Sequence, residues 1–228
     1  MRSDDARREI LSAIRRNLAR SSPPVASLPS VGSSPPGPLS LRERGDSRQG
    51  VTDRFTEQLT AVGARWTIVR GEADAGCALA RVLTEAGARR VALSDAPRVR
   101  HLLPALEAFV VEDVNDLSRD ALFACDAGVT TAQWGIAETG TLVLESAREA
   151  SRLLSLVPPL HVALLSADCL CESMGDALAR VRQVSPAGLA SHAITFITGP
   201  SRTSDIELTL VVGVHGPATV HVLLLEDA

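Results

Sequence analysis

The sequence contains no lysine and no tyrosine, and only 3% of its residues are aromatic. Without lysine the chain has no amine for a Schiff base, for pyridoxal phosphate or for the lysine of a phosphate-binding loop, because each needs that side chain. The scarcity of aromatic rings argues against a platform on which the bases of single-stranded nucleic acid would stack. Ala, Val, Leu and Ile must therefore build the core.

Cysteine is also scarce, and its spacing is uninformative for metal binding. The four cysteines, Cys77, Cys125, Cys169 and Cys171, form no C-x-x-C pair, so the sequence predicts neither a zinc ribbon nor an iron-sulfur cluster in this chain. We expect reduced thiols in the core and no metal site.

Charge is divided unevenly along the chain. Residues 1–50 carry nine arginines and five acidic residues, net +4, whereas residues 51–228 carry fourteen arginines and twenty-two acidic residues, net −8. An acidic body argues against nucleic-acid binding, because phosphate contacts need a basic face. No apolar run approaches the ~18 residues of a membrane span, and the N-terminus lacks the apolar core of a signal peptide. A cytoplasmic protein without a membrane span is expected.

The composition predicts three regions. Residues 1–20 place Ile10, Leu11, Ile14 and Leu18 at helical spacing, which is typical of an amphipathic helix. Residues 21–50 contain eight Ser, six Pro and four Gly, a composition that predicts a linker or mobile loop. Residues 51–228 have the apolar content of a folded domain.

From residue 51 onward, predicted helices alternate with strands. Ala/Leu-rich helices, one of them closed by Gly87, separate short apolar strands, and three closely spaced apolar segments follow residue 190. This order predicts an α/β fold with a mostly parallel sheet flanked by helices and a small antiparallel portion near the C-terminus. One of the predicted helices covers residues 151–157, and another covers 169–183.

The first polar loop after a predicted strand contains Glu138, Thr139, Gly140 and Thr141. In open α/β sheets ligands bind at the carboxyl ends of strands, so such loops are candidate sites. A carboxylate at Glu138 can act as a general base or a nucleophile. Alternatively, the segment is a turn between two strands in which Glu138 binds backbone amides.

The second polar loop offers Gly199, Ser201, Arg202, Thr203 and Asp205. Backbone amides beside a forked guanidinium suit a phosphate or a carboxylate. The alternative is a capped turn in which Arg202 pairs with a neighbouring acid.

The third loop places His215 and Gly216 before the last apolar segment. His215 is either an acid–base group or a turn residue. We predict that the loops of Glu138, Arg202 and His215 converge on one face of the sheet. Arg148 and Arg152, at helical i, i+4 spacing, can reach the same crevice or form a solvated face.

Four segments in this order resemble the LUD-domain family of lactate-utilisation proteins. They are 136–144 (IAETGTLVL), 152–161 (RLLSLVPPLH), 196–207 (FITGPSRTSDIE) and 213–217 (GVHGP). The resemblance covers about residues 51–226. It implies a fold like that of the ribose-5-phosphate isomerase and CoA-transferase superfamily. It also implies a role in oxidising L-lactate to pyruvate with iron-sulfur partner subunits, so that the clusters lie in those partners and no cofactor lies in this chain.

Two hypotheses follow. In the first, the chain is a non-redox subunit of an L-lactate utilisation system and binds a small anionic ligand. In the second, it is a self-sufficient acyl-transfer or phosphosugar enzyme, as analogy with the superfamily implies. Turnover of CoA esters or sugar phosphates by the purified chain separates the two.

Overall fold

The structure is a computed structural model of the chain and describes residues 41–149, 151–184, 193–204 and 210–226. These residues belong to one of two structural units, Ser40–Ala228. The helix predicted for 1–20 and most of the linker predicted for 21–50 lie outside the described residues. The linker prediction overlaps the first described helix, which begins at Leu41.

Twelve strands are present among the described residues. They are β1 (Arg65–Arg70), β2 (Arg90–Leu93), β3 (Val110–Asp113), β4 (Ala127–Thr131), β5 (Trp134–Ile136), β6 (Thr141–Glu145), β7 (Leu160–Ser166), β8 (Leu170–Cys171), β9 (Ile194–Ile197), β10 (Arg202–Ser204), β11 (Leu210–Val212) and β12 (Thr219–Glu226). Six form a parallel sheet in the order β1-β12-β7-β4-β2-β3.

The helices connect these strands. They are α1 (Leu41–Ala61), α2 (Gly71–Glu85), α3 (Pro97–His101), α4 (Arg119–Phe123) and α5 (Met174–Val184), with 3-10 turns at Leu103–Leu106, Arg152–Ser155 and Ala167–Cys169. The glycine signal at Gly87 is confirmed: α2 ends two residues earlier, and Gly87 has φ +68°. No helix in the described part of the chain has the length and apolarity to cross a membrane.

The parallel sheet is covered on both faces, as strands buried on both sides require. Along β12, Leu223 and Leu225 pack with apolar residues of α2, whereas Val222 and Leu224 pack with α1 and the second sheet. The side chains alternate because successive residues of a strand point to opposite faces. The predicted mostly parallel α/β fold is therefore confirmed.

The second sheet has four strands in the order β8-β5-β6-β9. An antiparallel hairpin, β5–β6, forms its centre, and β9 pairs antiparallel with β6. Together with the antiparallel β10–β11 pair, this is the predicted antiparallel portion. The last apolar segment, however, is β12, which lies inside the parallel sheet.

Two helix predictions were wrong in part. Residues 169–183 begin with a short strand, Leu170–Cys171, and α5 starts only at Met174. The strand forms because Leu170 and Cys171 pair with Gly135 and Ile136, a partner distant in sequence. The helix predicted for 151–157 is a single 3-10 turn at Arg152–Ser155.

Two histidines are buried within strands of the parallel sheet. Nε2 of His161 lies 2.9 Å from the Thr130 hydroxyl, and Nε2 of His221 lies 2.9 Å from that of Thr67. Burial lowers the pKa of each ring to about 4. Both imidazoles are therefore neutral at pH 7.

Gly128 allows β4 to pack closely against the 3-10 turn. A methyl group on Gly128 would overlap the carbonyl oxygen of Leu154 and lie 3.2 Å from Cγ of Pro158. We predict that Gly128→Ala lowers the free energy of unfolding by about 3 kcal/mol, because a backbone group must move. The matched control is Gly175→Ala, where the nearest atom is 3.6 Å away. Urea denaturation measures both, and equal stability of the two variants would contradict the packing argument.

Candidate functional site at the strand ends

A cavity of about 840 Å³ opens at the carboxyl ends of β2, β4 and β7. After β2 the chain runs outward to β3, and after β4 it runs in the opposite direction toward β7. Ligands of open α/β sheets bind at such topological switch points. We call this space the strand-end cavity. Its wall consists of residues 95–98, 131–133 and 146–149 together with Leu164, Ser166, Asp168 and Cys169.

Glu149 is the buried acid of the strand-end cavity, with only 3% of its surface exposed. Its Oε1 accepts hydrogen bonds from the backbone N–H of Thr131, at 2.7 Å, and from the Thr131 hydroxyl. Its Oε2 is buried and has no hydrogen-bond partner. Burial raises the pKa of Glu149, against the lowering effect of the nearby Ser94 hydroxyl and of the two Thr131 donors, and the negative charge of Asp95 raises it further.

A network of buried polar groups links Glu149 to the second sheet. Nε2 of Gln133 donates to the Thr131 hydroxyl at 3.0 Å, and Oε1 of Gln133 accepts from the backbone N–H of Glu145 at 2.6 Å. Oε1 of Glu145 accepts from the Trp134 indole at 3.1 Å. The network fixes the end of β6 against the end of β4 and so shapes the cavity wall.

The exposed arginines Arg98 and Arg148 bring positive charge to the wall near Cys169. Burial raises the pKa of the Cys169 thiol, and the charges of Arg98, Arg180 and Arg148 oppose that increase. Asp168 forms a 3.0 Å ion pair with Arg48. Two guanidinium groups beside a buried acid suit a small anion, because guanidinium forms charge-assisted hydrogen bonds to carboxylates.

Arg148 reaches this cavity from a turn directly after β6, not from the predicted helix. Arg152 opens the 3-10 turn and does not line the cavity. The shared helical face inferred for the two arginines was therefore wrong, although Arg148 does lie at a crevice.

The residues of the first predicted loop gather at the opposite end of the β5–β6 hairpin. The hydroxyls of Thr139, Thr141 and Thr198 form a chain, with Oγ1–Oγ1 distances of 2.6 and 2.8 Å. Gly140 has φ +63°, and a methyl group there would lie 2.7 Å from the backbone of α1. Glu138 is exposed, and its backbone N–H donates to the Glu172 carbonyl at 3.1 Å. The loop thus joins two strands and supports α1.

The second loop contacts the turn between α1 and β1. Nη2 of Arg202 donates to the Val62 carbonyl at 2.5 Å, and Gly199, with φ +78°, packs against Val62. Thr203 is half-buried in β10 opposite Val211. Asp205 lies outside the described residues.

The third loop, which precedes β12, contacts the second. The backbone N–H of Ser201 donates to the Pro217 carbonyl at 2.9 Å, and a methyl group on Gly216 would lie 3.1 Å from Cβ of Ser201. His215 is exposed.

The three predicted loops are therefore neighbours, but not at the expected edge of the sheet. They lie at the amino ends of β1 and β12, whereas the strand-end cavity lies at the carboxyl ends of the parallel strands. The three loops therefore do converge, but away from the carboxyl ends of the parallel strands, because β5, β6 and β9, whose ends carry two of the loops, belong to the second sheet. Neither the strand-end cavity nor a smaller cavity of about 550 Å³ beside it is lined by Glu138, Arg202 or His215. Their role in ligand binding stays a prediction.

Glu149, Thr131 and Gln133 were not among the predicted site residues. The available signal was weak: Thr131 and Gln133 follow an apolar strand, and Glu149 follows Arg148 at the end of the next hairpin. No metal-binding group of three or more His, Cys, Asp or Glu occurs within the described ranges.

The fold and the cavity define an α/β protein with a candidate ligand site at the switch point of a parallel sheet. The sequence profile of the LUD domain matches residues 52–225, more than half of the chain. This chain belongs to the LUD-domain family.

Individual relatives agree with that membership. A protein of Deinococcus radiodurans named lactate utilization protein C is 31% identical over 222 residues, which cover 97% of this chain and 96% of that protein. A protein of the same name from Shouchella clausii is 37% identical over 102 residues, so the match spans only 44% of that relative and 45% of this chain. The crystal structure of a DUF162 family protein from Deinococcus radiodurans superposes with a TM-score of 0.61 at 25% identity, covering 83% of this chain and 100% of that one.

We predict that Glu149→Gln changes stability in a pH-dependent way. A raised pKa means that folding favours the protonated acid, so wild-type stability is fully present below about pH 4.5 and is lost as pH rises through the folded-state pKa. The neutral amide cannot ionise. The variant should match wild type at pH 4 and exceed it at pH 8 in chemical denaturation. Glu172→Gln, at an exposed carboxyl, is the control, and equal pH slopes for all three proteins would contradict the assignment.

Proposed function

We propose that this chain is a non-redox component of L-lactate utilisation that binds a small organic carboxylate in the strand-end cavity and acts with iron-sulfur partner subunits. The relative from Deinococcus radiodurans, which carries the lactate utilization protein C name, supports the first part because the match extends over nearly the full length of both chains. Lactate and pyruvate, the substrate and product of lactate oxidation, are both small monocarboxylates.

The proposed ligand site rests on the charge and the volume of the strand-end cavity. Arg98 and Arg148 supply two positive charges at its wall, and Asp168 is already paired with Arg48. A monocarboxylate fits this arrangement because a planar carboxylate accepts two hydrogen bonds from a guanidinium fork. The volume of about 840 Å³ lies within the range of small-molecule sites and exceeds what a three-carbon acid fills.

The proposal of partner subunits rests on the need for an acceptor of the electrons that lactate loses. Oxidising lactate to pyruvate removes two electrons, and iron-sulfur clusters are held by several cysteine thiolates at one site. Here Cys125 and Cys171 lie in different apolar clusters, and Cys77 is on the exposed side of α2. This distribution supports the proposal that partner subunits with their own cysteine sets hold the clusters and receive the electrons.

We predict that the double variant Arg98→Ala/Arg148→Ala binds L-lactate and pyruvate at least 10-fold more weakly than wild type in isothermal titration calorimetry. Each lost charge-assisted hydrogen bond contributes about 1.5–3 kcal/mol, and 1.4 kcal/mol corresponds to a factor of ten. Both arginines are exposed, so the fold should persist. Arg152→Ala is the matched control, because this exposed arginine lies outside the cavity wall.

Arg202→Ala serves as the competing variant in the same titration. If Arg202→Ala lost binding while the double variant bound normally, the ligand site would lie at the loops predicted from sequence. Normal binding by the double variant would refute the cavity as the site. Turnover of CoA esters or sugar phosphates by the purified chain would instead favour a self-sufficient enzyme.

A second prediction concerns the partners. The chain, affinity-purified from its native cell grown on L-lactate, should co-elute with proteins that show iron-sulfur absorbance. The isolated chain should give no lactate-dependent dye reduction, because the proposed electron acceptors lie elsewhere. Dye reduction by the isolated chain, or purification without any iron-sulfur protein, would contradict the proposed division of labour.

A further inference from the structure

The strand-end cavity contains one acid whose hydrogen bonding is uneven. We propose that this cavity takes up its anionic ligand together with one proton, and that Glu149 holds this proton. The inference rests on the proposed function, because it concerns the same cavity and the same class of ligand, small monocarboxylates.

The hydrogen-bond pattern of Glu149 is that of a carboxylic acid. Oε1 accepts two hydrogen bonds from Thr131, as a carbonyl oxygen does, whereas Oε2 accepts none. An ionised carboxylate with one buried oxygen lacking any donor is costly, because that oxygen loses its hydration without compensation. A proton on Oε2 removes this cost, and burial raises the pKa of Glu149 in the same direction.

The charges around Glu149 make its protonation sensitive to a ligand. The surrounding titratable and charged groups come from every element that meets at the cavity: Asp95, Arg98, Glu145, Arg148, Asp168 and Cys169. Arg98 and Arg148 line the same cavity as Glu149, and positive charge near a carboxyl group favours its ionised form. An anion bound to these arginines neutralises them and adds a negative charge nearby, so the proton becomes more favourable on Glu149.

Thermodynamic linkage between ligand binding and protonation of Glu149 makes the ligand affinity depend on pH. If binding takes up one proton, the affinity for the acid falls by up to tenfold per pH unit between the pKa of Glu149 in the free and in the bound protein. The cavity then binds the equivalent of a neutral organic acid. Binding of an inorganic anion would also favour the proton on Glu149. Such an anion, however, lacks the apolar carbon with which a monocarboxylate would pack against Ala132 and Leu164 in the wall.

The test is calorimetric titration of the full chain with sodium pyruvate, and separately with sodium L-lactate, in buffers of different ionisation enthalpy. The dependence of the observed enthalpy on the buffer gives the number of protons taken up. Wild type should take up between a half and one proton per ligand near the midpoint of the pH dependence. Glu149→Gln should take up none and should bind with an affinity independent of pH, because its amide resembles the protonated acid. Glu172→Gln, outside the cavity, should behave like wild type.

Each outcome separates the inference from the proposed function. Binding by wild type without proton uptake overturns the coupling and leaves the ligand proposal intact. Proton uptake that persists in Glu149→Gln overturns the assignment to Glu149. Absence of binding of either acid overturns both proposals. Infrared absorption of a protonated carboxyl, present in the ligand complex of wild type and missing in that of Glu149→Gln, provides independent support for the same assignment.

Discussion

The parallel pairing of β12 with both β1 and β7 ties the first and last strands of the described chain into one sheet. The pairing runs from Thr219 opposite Leu160 to Leu225 opposite Ser166 on one side, and along the whole of β1 on the other. Because β12 is buried on both faces, it joins the apolar layer under α2 to the layer under α1. The parallel pairing gives all six strands a common carboxyl edge, and the strand-end cavity lies at that edge beside β2, β4 and β7.

At the carboxyl edge of the parallel sheet, buried hydrogen bonds connect the strand ends, whereas apolar packing holds the middle of the sheet. Thr131, Gln133 and Glu149 connect the end of β4 to the end of the β5–β6 hairpin through buried hydrogen bonds. Buried polar groups are normally partnered, and among the described residues three side-chain atoms are not: Oε2 of Glu149, Nε of Arg90 and Nδ1 of His161. Of the three, only the Glu149 oxygen belongs to a residue that lines the strand-end cavity.

Local pattern in the sequence was sufficient for the class of fold. The alternation of Ala/Leu-rich helices with short apolar strands predicted a parallel sheet, and Gly87 marked the end of α2 within two residues. The sequence did not reveal that β12 pairs between β1 and β7, nor that Leu170 and Cys171 form a strand, because both depend on partners far away in the chain. Strand pairing over such distances has no local signature.

The same limit explains the candidate site. The segment around Glu138 has the small and hydroxyl residues of a site, yet Gly140 and the linked threonines pack this hairpin against α1. Glu149 has no motif around it, and its importance arises only when β6 delivers it to the end of β4. The charge of Arg148 is visible in the sequence alone. Its position in the wall of the strand-end cavity depends on the fold and could not be predicted from local pattern.

The most direct test of a carboxylate site at the strand ends is a crystal structure of the protein with bound pyruvate. The account predicts electron density for the acid in the strand-end cavity, with its carboxylate within hydrogen-bond distance of Arg98 or Arg148. Density for pyruvate beside Arg202 and Thr141, with the strand-end cavity holding only solvent, would contradict it.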